Sequence, residues 1–415
     1  MILQNKMIRL ISKAVGFIYV FLNWMAKPRE MIYNNRILII ITGNLGDALM
    51  SIEAVLALGR YYRNEGRTVT VMTSRNIRCF LNMIADMNNF EFIDVNYPYS
   101  SNGTLLRELR PIVKAARLQQ YEDIIVTWAN APIAKYLVAV IQHNNSWGVF
   151  DDIKRSYYRP KYFFEKAFTN RILVSIDVQE MQRYKIMLDE IGVRNYKVRI
   201  HHIKKLETTQ TLVKPERKYI TIAMDSMTTE RRWPADEFKK TVQALLKGYD
   251  YEICCTGNDS ALPIFHKCVE DLQERDLLRV HNYIGKTSLG EWIELLRGAE
   301  FHIGVDSGSI HVAAAVGTQA FCLVGVWDGT RVFPYQIDEA NAGTCVPVPL
   351  YRSDVDPFKQ PCYGCLSSKG HRGKGNAECY KGCNEGKPAL CLQRITTTDL
   401  LSRISSYTHL NEGNE

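Results

Sequence analysis

The sequence predicts an α/β protein of two facing parallel-sheet domains with a cleft between them. Two stretches predict it. The run Gly304-Val305-Asp306-Ser307-Gly308-Ser309-Ile310-His311-Val312-Ala313-Ala314-Ala315-Val316-Gly317 follows an apolar strand and opens a helix of small residues. Far upstream, residues 37–48 repeat the arrangement with a Gly43-Asn44-Leu45-Gly46 turn and an acid of their own, Asp47. In a parallel sheet such strand–loop–helix joints place backbone N–H groups and a positive helix end at the carboxyl edge. An anion such as a diphosphate is held there.

The elements follow in order. Residues 36–42 are an Ile-rich apolar run too short for a lone helix, hence a strand, and a helix follows over 48–62. Further strands are expected at 68–73, 90–95 and 123–128, separated by helical segments, the alternation of a parallel sheet with covered faces. Residues 148–171 are aromatic and basic with little periodicity, and 201–218 are polar, basic and contain Pro215, as in a linker. The alternation then repeats. Strands are expected at 219–225, 251–256, 280–284, 301–305 and 320–324, with helices at 235–247, 260–272 and 289–298. Ser288 and Glu291 form a capping box, and 397–406 reads as a last helix. The domains are therefore placed at 36–200 and 219–350. Residues 1–35 are an apolar and basic helical segment, 201–218 the linker, 351–395 a Cys-rich segment, and 396–415 a helix and tail.

A chain of 415 residues suits two cores, and 46% apolar with 23% charged residues excludes a disordered chain. Its 52 basic against 44 acidic residues leave +8. That agrees with anionic ligands or an anionic membrane surface and is too small an excess to indicate nucleic acid. No cleaved signal is evident, so a reducing cytoplasm is expected. Residues 8–25 are apolar and aromatic, with Arg9 and Lys13 inside and Lys27 and Arg29 after. Two readings stay open: a basic helix in the membrane interface presenting Phe17, Tyr19, Phe21 and Trp24, or a helix packed on the first domain. A transmembrane anchor is a third, although the charges interrupt the stretch early for a bilayer about 30 Å thick.

Three segments resemble glycosyltransferase family 9, the lipopolysaccharide heptosyltransferases. They are residues 37–48, the segment Thr228-Thr229-Glu230-Arg231-Arg232-Trp233-Pro234, and 286–317 leading into Gly325. The resemblance implies the GT-B fold of two Rossmann-like domains. It also implies an enzyme that takes a nucleotide-activated sugar, typically ADP-heptose, and inverts its anomeric centre. The chain departs from the family pattern at two places. Gly325-Val326-Trp327-Asp328-Gly329 replaces the usual Gly-Pro-Thr-Asp-Pro-like loop, and Arg231 stands where heptosyltransferases carry a Lys.

Inverting transfer needs a base on the acceptor hydroxyl and charge relief at the leaving diphosphate. By the resemblance Asp47 is the base; a helix cap is its other role, and the two are compatible. For the donor, Arg231 and Arg232 suit a diphosphate, and Thr228 and Thr229 add hydroxyls. Asp306 accepts sugar hydroxyls or orients His311, while Ser307, Gly308 and Ser309 offer helix-start N–H groups. Gly257 and Asp259 end another strand where a nucleotide would lie. On the acceptor side, Arg107, Arg110, Lys114 and Arg117 share a helical face, although Pro111 interrupts the helix pattern.

Catalysis by this route requires no metal. The set Cys362-x2-Cys365, then Cys379-x3-Cys383, approaches a structural zinc pattern, with free or redox-active thiols as the other reading. The expected partners are a nucleotide-sugar donor, a lipid-linked or envelope glycan acceptor and an anionic membrane surface, with no nucleic acid. The expected place is the inner face of the cytoplasmic membrane. The alternatives are a GT-B-fold nucleotide-sugar epimerase and a nonenzymatic nucleotide-sugar or glycan-binding subunit.

Overall fold

The computed structural model describes residues 2–28, 30–95, 106–152, 163–206, 212–226, 229–325, 329–354, 356–357 and 388–412. The chain divides into two units. One holds residues 1–178 with 182–198, the other 179–181 with 199–415.

The first unit carries β1 (Arg36–Ile41), β2 (Thr68–Thr73), β3 (Glu91–Asp94), β4 (Gln120–Val126), β5 (Gln142–Asp151) and β6 (Asn170–Val174). The second carries β7 (Tyr219–Ala223), β8 (Glu252–Thr256), β9 (Val280–Asn282), β10 (Phe301–Val305), β11 (Gln319–Leu323) and β12 (Val348–Leu350). Every pairing is parallel, in the orders β3-β2-β1-β4-β5-β6 and β12-β11-β10-β7-β8-β9. Counted within each unit, both orders are 3-2-1-4-5-6, the Rossmann arrangement. The order reverses between the first and fourth strands, and ligands take the crevice beyond the carboxyl ends there. The Asp47 loop leaves β1, a first strand; the Asp306 loop leaves β10, a fourth.

The central strands are apolar because helices cover both faces: Ile37 to Ile41 are all buried. β5 breaks that rule, and no strand is expected from its sequence, Gln-His-Asn-Asn-Ser-Trp-Gly-Val-Phe-Asp. Side chains latch it from outside the ladder. The Ser146 N–H donates to Thr169 Oγ1 at 2.7 Å, and the Thr169 N–H returns to Ser146 Oγ at 3.0 Å. Asn144 bonds both the N–H and the C=O of Ile32, at 2.8 and 2.7 Å. At its end Asp151 forms a buried ion pair with Arg183 at 2.8 Å.

Helix Ile2–Met25 packs on helices Leu106–Ala116 and Pro132–Val140. Phe17 lies 5.1 Å from the ring of Phe164, and Trp24 lies 5.9 Å from that of Phe163. The Arg117 guanidinium donates to Asn23 Oδ1 at 2.8 Å. The Lys27 ammonium reaches the Ile141 carbonyl at 3.3 Å, and burial pushes its pKa down to about 8. Phe17, Phe21 and Trp24 face the domain, where Phe163 and Phe164 supply an aromatic seat, and Tyr19 packs against the same core. Among the described residues no helix is long and apolar enough to cross a membrane.

In the second unit, residues 388–412 return to complete the core. Leu392, Ile395, Leu400 and Ile404 are buried with Phe238 and Phe301. The Thr397 hydroxyl donates to Glu237 at 2.8 Å.

Candidate functional site

In the first unit β1 exits through Thr42 and Gly43 into helix Leu45–Asn64, with Asn44 as N-cap. Asp47 is the third helical residue. Its carboxylate reaches back and accepts the Asn44 N–H at 2.7 Å, so it closes a capping box instead of standing at the cap position. A Cβ on Gly43 would lie 2.3 Å from the Cβ of Asp47 and 2.7 Å from its Oδ2, so this approach requires glycine. The Thr42 hydroxyl donates to the Trp128 carbonyl at 3.4 Å, joining this loop to the one after β4. Asp47 thus sits at the reversal of the first sheet, half-buried.

In the second unit the two adjacent arginines differ. Arg232 pairs with Asp225 at 2.6 Å and donates to the Ser226 carbonyl at 3.3 Å. Asp225 also accepts the Ser226 N–H at 2.7 Å and the Ser260 hydroxyl. Arg231 instead turns to the loop after β10, where it donates to the Asp306 carbonyl at 3.5 Å. Its charge helps to lower the pKa of His311. The loop is fastened by Trp233, which is 1% exposed. Its indole N–H donates to the Ile395 carbonyl at 2.9 Å, and its ring meets Phe238 at 5.0 Å. Thr229 lies in the turn Thr229–Arg231, half-buried; Thr228 lies outside the described residues.

Asp306 is buried at the end of β10, and its N–H donates to the Leu323 carbonyl at 3.3 Å. Ser307 precedes helix Gly308–Ala315 with extended backbone and makes no cap bond. Its hydroxyl pairs with Ser309 Oγ at 3.0 Å. The first-turn N–H groups are donors of the kind that take an anion. The described partner of the His311 side chain is Tyr335, not Asp306: the Tyr335 hydroxyl meets His311 Nδ1. Both rings stack with Phe333. Burial, with the charge of Arg231, pushes His311 down to about 4, and burial raises Tyr335 well above its ordinary value. Near neutral pH the phenol is therefore protonated and the imidazole neutral, and the tautomer in which the phenol donates to Nδ1 leaves Nε2–H as a donor.

Gly257 and Asp259 follow β8. Gly257 has φ +151°, a conformation other residues rarely adopt, and Asp259 is exposed. The Ser260 bond to Asp225 brings this turn beside the arginine loop.

The four basic residues of helix Leu106–Ala116 and its end are exposed, and the helix runs through Pro111. The helix spans about 16 Å from the carboxyl toward the amino edge of the sheet, and Arg117 at its far end is bonded to Asn23. Cys362, Cys365, Cys379 and Cys383 lie outside the described residues, as do residues 326–328. Cys254, Cys255 and Cys322 are buried thiols, raised by burial. Asp225, Ser260 and Tyr335 are site neighbours that no motif marks. Asp225 ends a strand beside the arginine pair, which was the one signal available.

Two units of Rossmann order, each with an acid-bearing loop at its reversal, define a protein of the GT-B class. Residues 192–345 match the family model for glycosyltransferase family 9 (heptosyltransferase). The match spans Arg231, Asp306 and His311, and ends short of Asp47. The chain is also similar to lipopolysaccharide heptosyltransferase 3 of Escherichia coli (strain K12). The two are 22% identical over 285 residues, 65% of this chain and 78% of that one. The chain is a glycosyltransferase, and over these residues it resembles family 9. In fold it is similar to the E. coli ADP-heptose lps heptosyltransferase II, with a TM-score of 0.60 and 16% identity over 91% of this chain and 99% of that one. It is likewise similar to TibC, an iron-containing dodecameric glycosyltransferase from enterotoxigenic E. coli H10407. There the TM-score is 0.51 and identity 16%, over 92% of this chain and 77% of that one.

Proposed function

We propose that the protein transfers a heptose from ADP-heptose, with inversion, to a lipopolysaccharide or other lipid-linked envelope glycan at the inner face of the cytoplasmic membrane. The observation that carries the reading is the convergence of Arg231, Asp306, the helix start at Ser307–Ser309 and the Tyr335-oriented His311 at one sheet reversal. The names of the relatives supply the sugar.

In this mechanism Asp47 takes the proton of the acceptor hydroxyl. The oxygen attacks the anomeric carbon from the face opposite the leaving group, and the bond to the diphosphate breaks. ADP leaves with its charge met by Arg231, the helix N–H groups and the Nε2–H of His311. Arg232, held by Asp225, shapes the loop and does not bind phosphate itself.

Calorimetry with ADP tests the division of labour. Arg231→Ala is expected to weaken ADP binding about tenfold or more, the scale of a lost charge-assisted hydrogen bond. Arg232→Ala should chiefly lower the melting temperature. Unchanged ADP affinity in Arg231→Ala would place the diphosphate elsewhere, and absence of ADP release from ADP-heptose with lipid-linked glycan would remove the proposed donor.

The Cys362, Cys365, Cys379 and Cys383 set is proposed to hold a structural zinc, since four thiolates in paired spacing close a tetrahedral site. Metal analysis of protein purified without chelator is expected to give about one zinc per chain, lost on mutating either pair. Iron in its place, the metal of the iron-containing TibC, would overturn zinc. Metal-free folded protein would overturn the site.

A further inference from the structure

We propose that the first unit docks on an anionic lipid bilayer through the outer face of helix Ile2–Met25 together with the neighbouring basic face of helix Leu106–Ala116. The proposal rests on the reading above for its purpose, since it brings the enzyme to a lipid-linked acceptor. Its chemistry stands on the first unit alone.

Packing and docking on the N-terminal helix use different sides. Gly16, Val20 and Asn23 turn inward and are buried. Leu10, Ile11, Val15, Ile18, Leu22 and Met25 are 41–70% exposed. From Ile11 onward the steps are four, three, four and three residues, which at 100° per residue confines the five side chains to a stripe about 80° wide. Single exposed apolar residues are ordinary; a continuous stripe on a helix already seated by its other face is not. Met31, Tyr33 and Leu118 are exposed as well, at 62%, 84% and 80%.

The charge on the neighbouring helix is predominantly positive. Arg117 ties the two helices together through Asn23, and Arg107, Arg110 and Lys114 stand exposed along the second helix. The sequence has no acidic residue before Glu30, and Glu108 is the one acid among residues 106–118. An apolar stripe next to a predominantly basic helix face matches acyl chains beneath anionic headgroups.

The same 4-3 spacing is also the seam of a coiled coil with a second copy. Charge decides between the two. Two-stranded seams are commonly flanked by opposite charges, and helix Ile2–Met25 carries no acid to supply one side of such a pair. The basic face of helix Leu106–Ala116 thereby becomes a headgroup contact and not a glycan-binding surface.

Flotation of the full chain with vesicles tests the surface. Binding is expected to vesicles of phosphatidylglycerol and phosphatidylcholine at low salt, and to be much weaker with phosphatidylcholine alone or at high salt. Arg110→Gln with Lys114→Gln should weaken partition roughly 25-fold, at about fivefold per cation. Ile11→Ser, Ile18→Ser and Leu22→Ser together should abolish it. Both variants change exposed groups, so their melting temperatures should match the parent, and ADP affinity should be unaltered in each. Parent protein that ignores phosphatidylglycerol vesicles, or a triple variant that floats as the parent does, overturns the proposal. So does a vesicle-free dimer in sedimentation that the triple variant dissociates, which assigns the stripe to a second copy. Docking without any sugar transfer would leave this surface standing and remove the donor and acceptor reading instead.

Discussion

Replacing Asp47 by asparagine is expected to lower turnover by about 10²-fold or more while leaving ADP affinity within about twofold. The substitution keeps the side chain's size, so it fits against Gly43, where no room remains for anything larger. An amide oxygen still accepts the Asn44 N–H, and the start of helix Leu45–Asn64 survives. Only proton acceptance is lost. The loops proposed to bind ADP belong to the other sheet and should not register the change. Capping alone is worth about 0.5–2 kcal/mol, so a melting curve separates the two roles. A large loss of turnover at an unchanged melting temperature is the signature of a base. Unchanged turnover would remove Asp47 from the chemistry and leave it as a helix-capping residue.

Truncating Trp233 to alanine is expected to cost the second unit about 3–5 kcal/mol. The ring is buried against Phe238, and its N–H donates to Ile395, leaving that carbonyl without the indole partner in the variant. The same change should weaken ADP binding, because Trp233 fixes the loop that aims Arg231. Trp233→Phe restores part of the packing without the hydrogen bond and should fall between. Two units need not melt together, so the reading should follow the ADP-protected transition. A loss below about 1 kcal/mol would show that the loop is fastened elsewhere.

Much of this was legible in the chain. β1, β7 and β10 are short apolar runs closed by glycine or acid, and burial on both sheet faces demands that composition. The loops carrying Asp47 and Asp306 were placed at strand ends for the same reason. β5 was not legible, because Asn144, Ser146 and Asp151 owe their strand to partners 23 to 112 residues away or to Arg183 on a later helix. The arginine pair was misleading for a related cause. Adjacent residues look alike in sequence, but Asp225 claims Arg232 and leaves Arg231 to meet the Asp306 loop. Tyr335 could not be found from spacing, since its role depends on the aromatic stack with Phe333 and His311. The N-terminal helix was legible only as a choice between domain and membrane, because spacing alone did not show that its aromatic side chains pack on the domain while an aliphatic stripe stays exposed.

The fastening of Trp233 to Ile395 also has a consequence for how the protein is made. Ile395 follows Trp233 by 162 positions, and the Leu392, Ile395, Leu400 and Ile404 cluster closes the core beneath the arginine loop. Domains fold as units during synthesis, the N-terminal one first. The Asp47 unit has its whole sheet by residue 174 and is able to mature on the ribosome. The Arg231 loop has to wait for residues synthesised long after its own strand. A nascent chain thus acquires its acidic loop early and the proposed diphosphate-binding loop last.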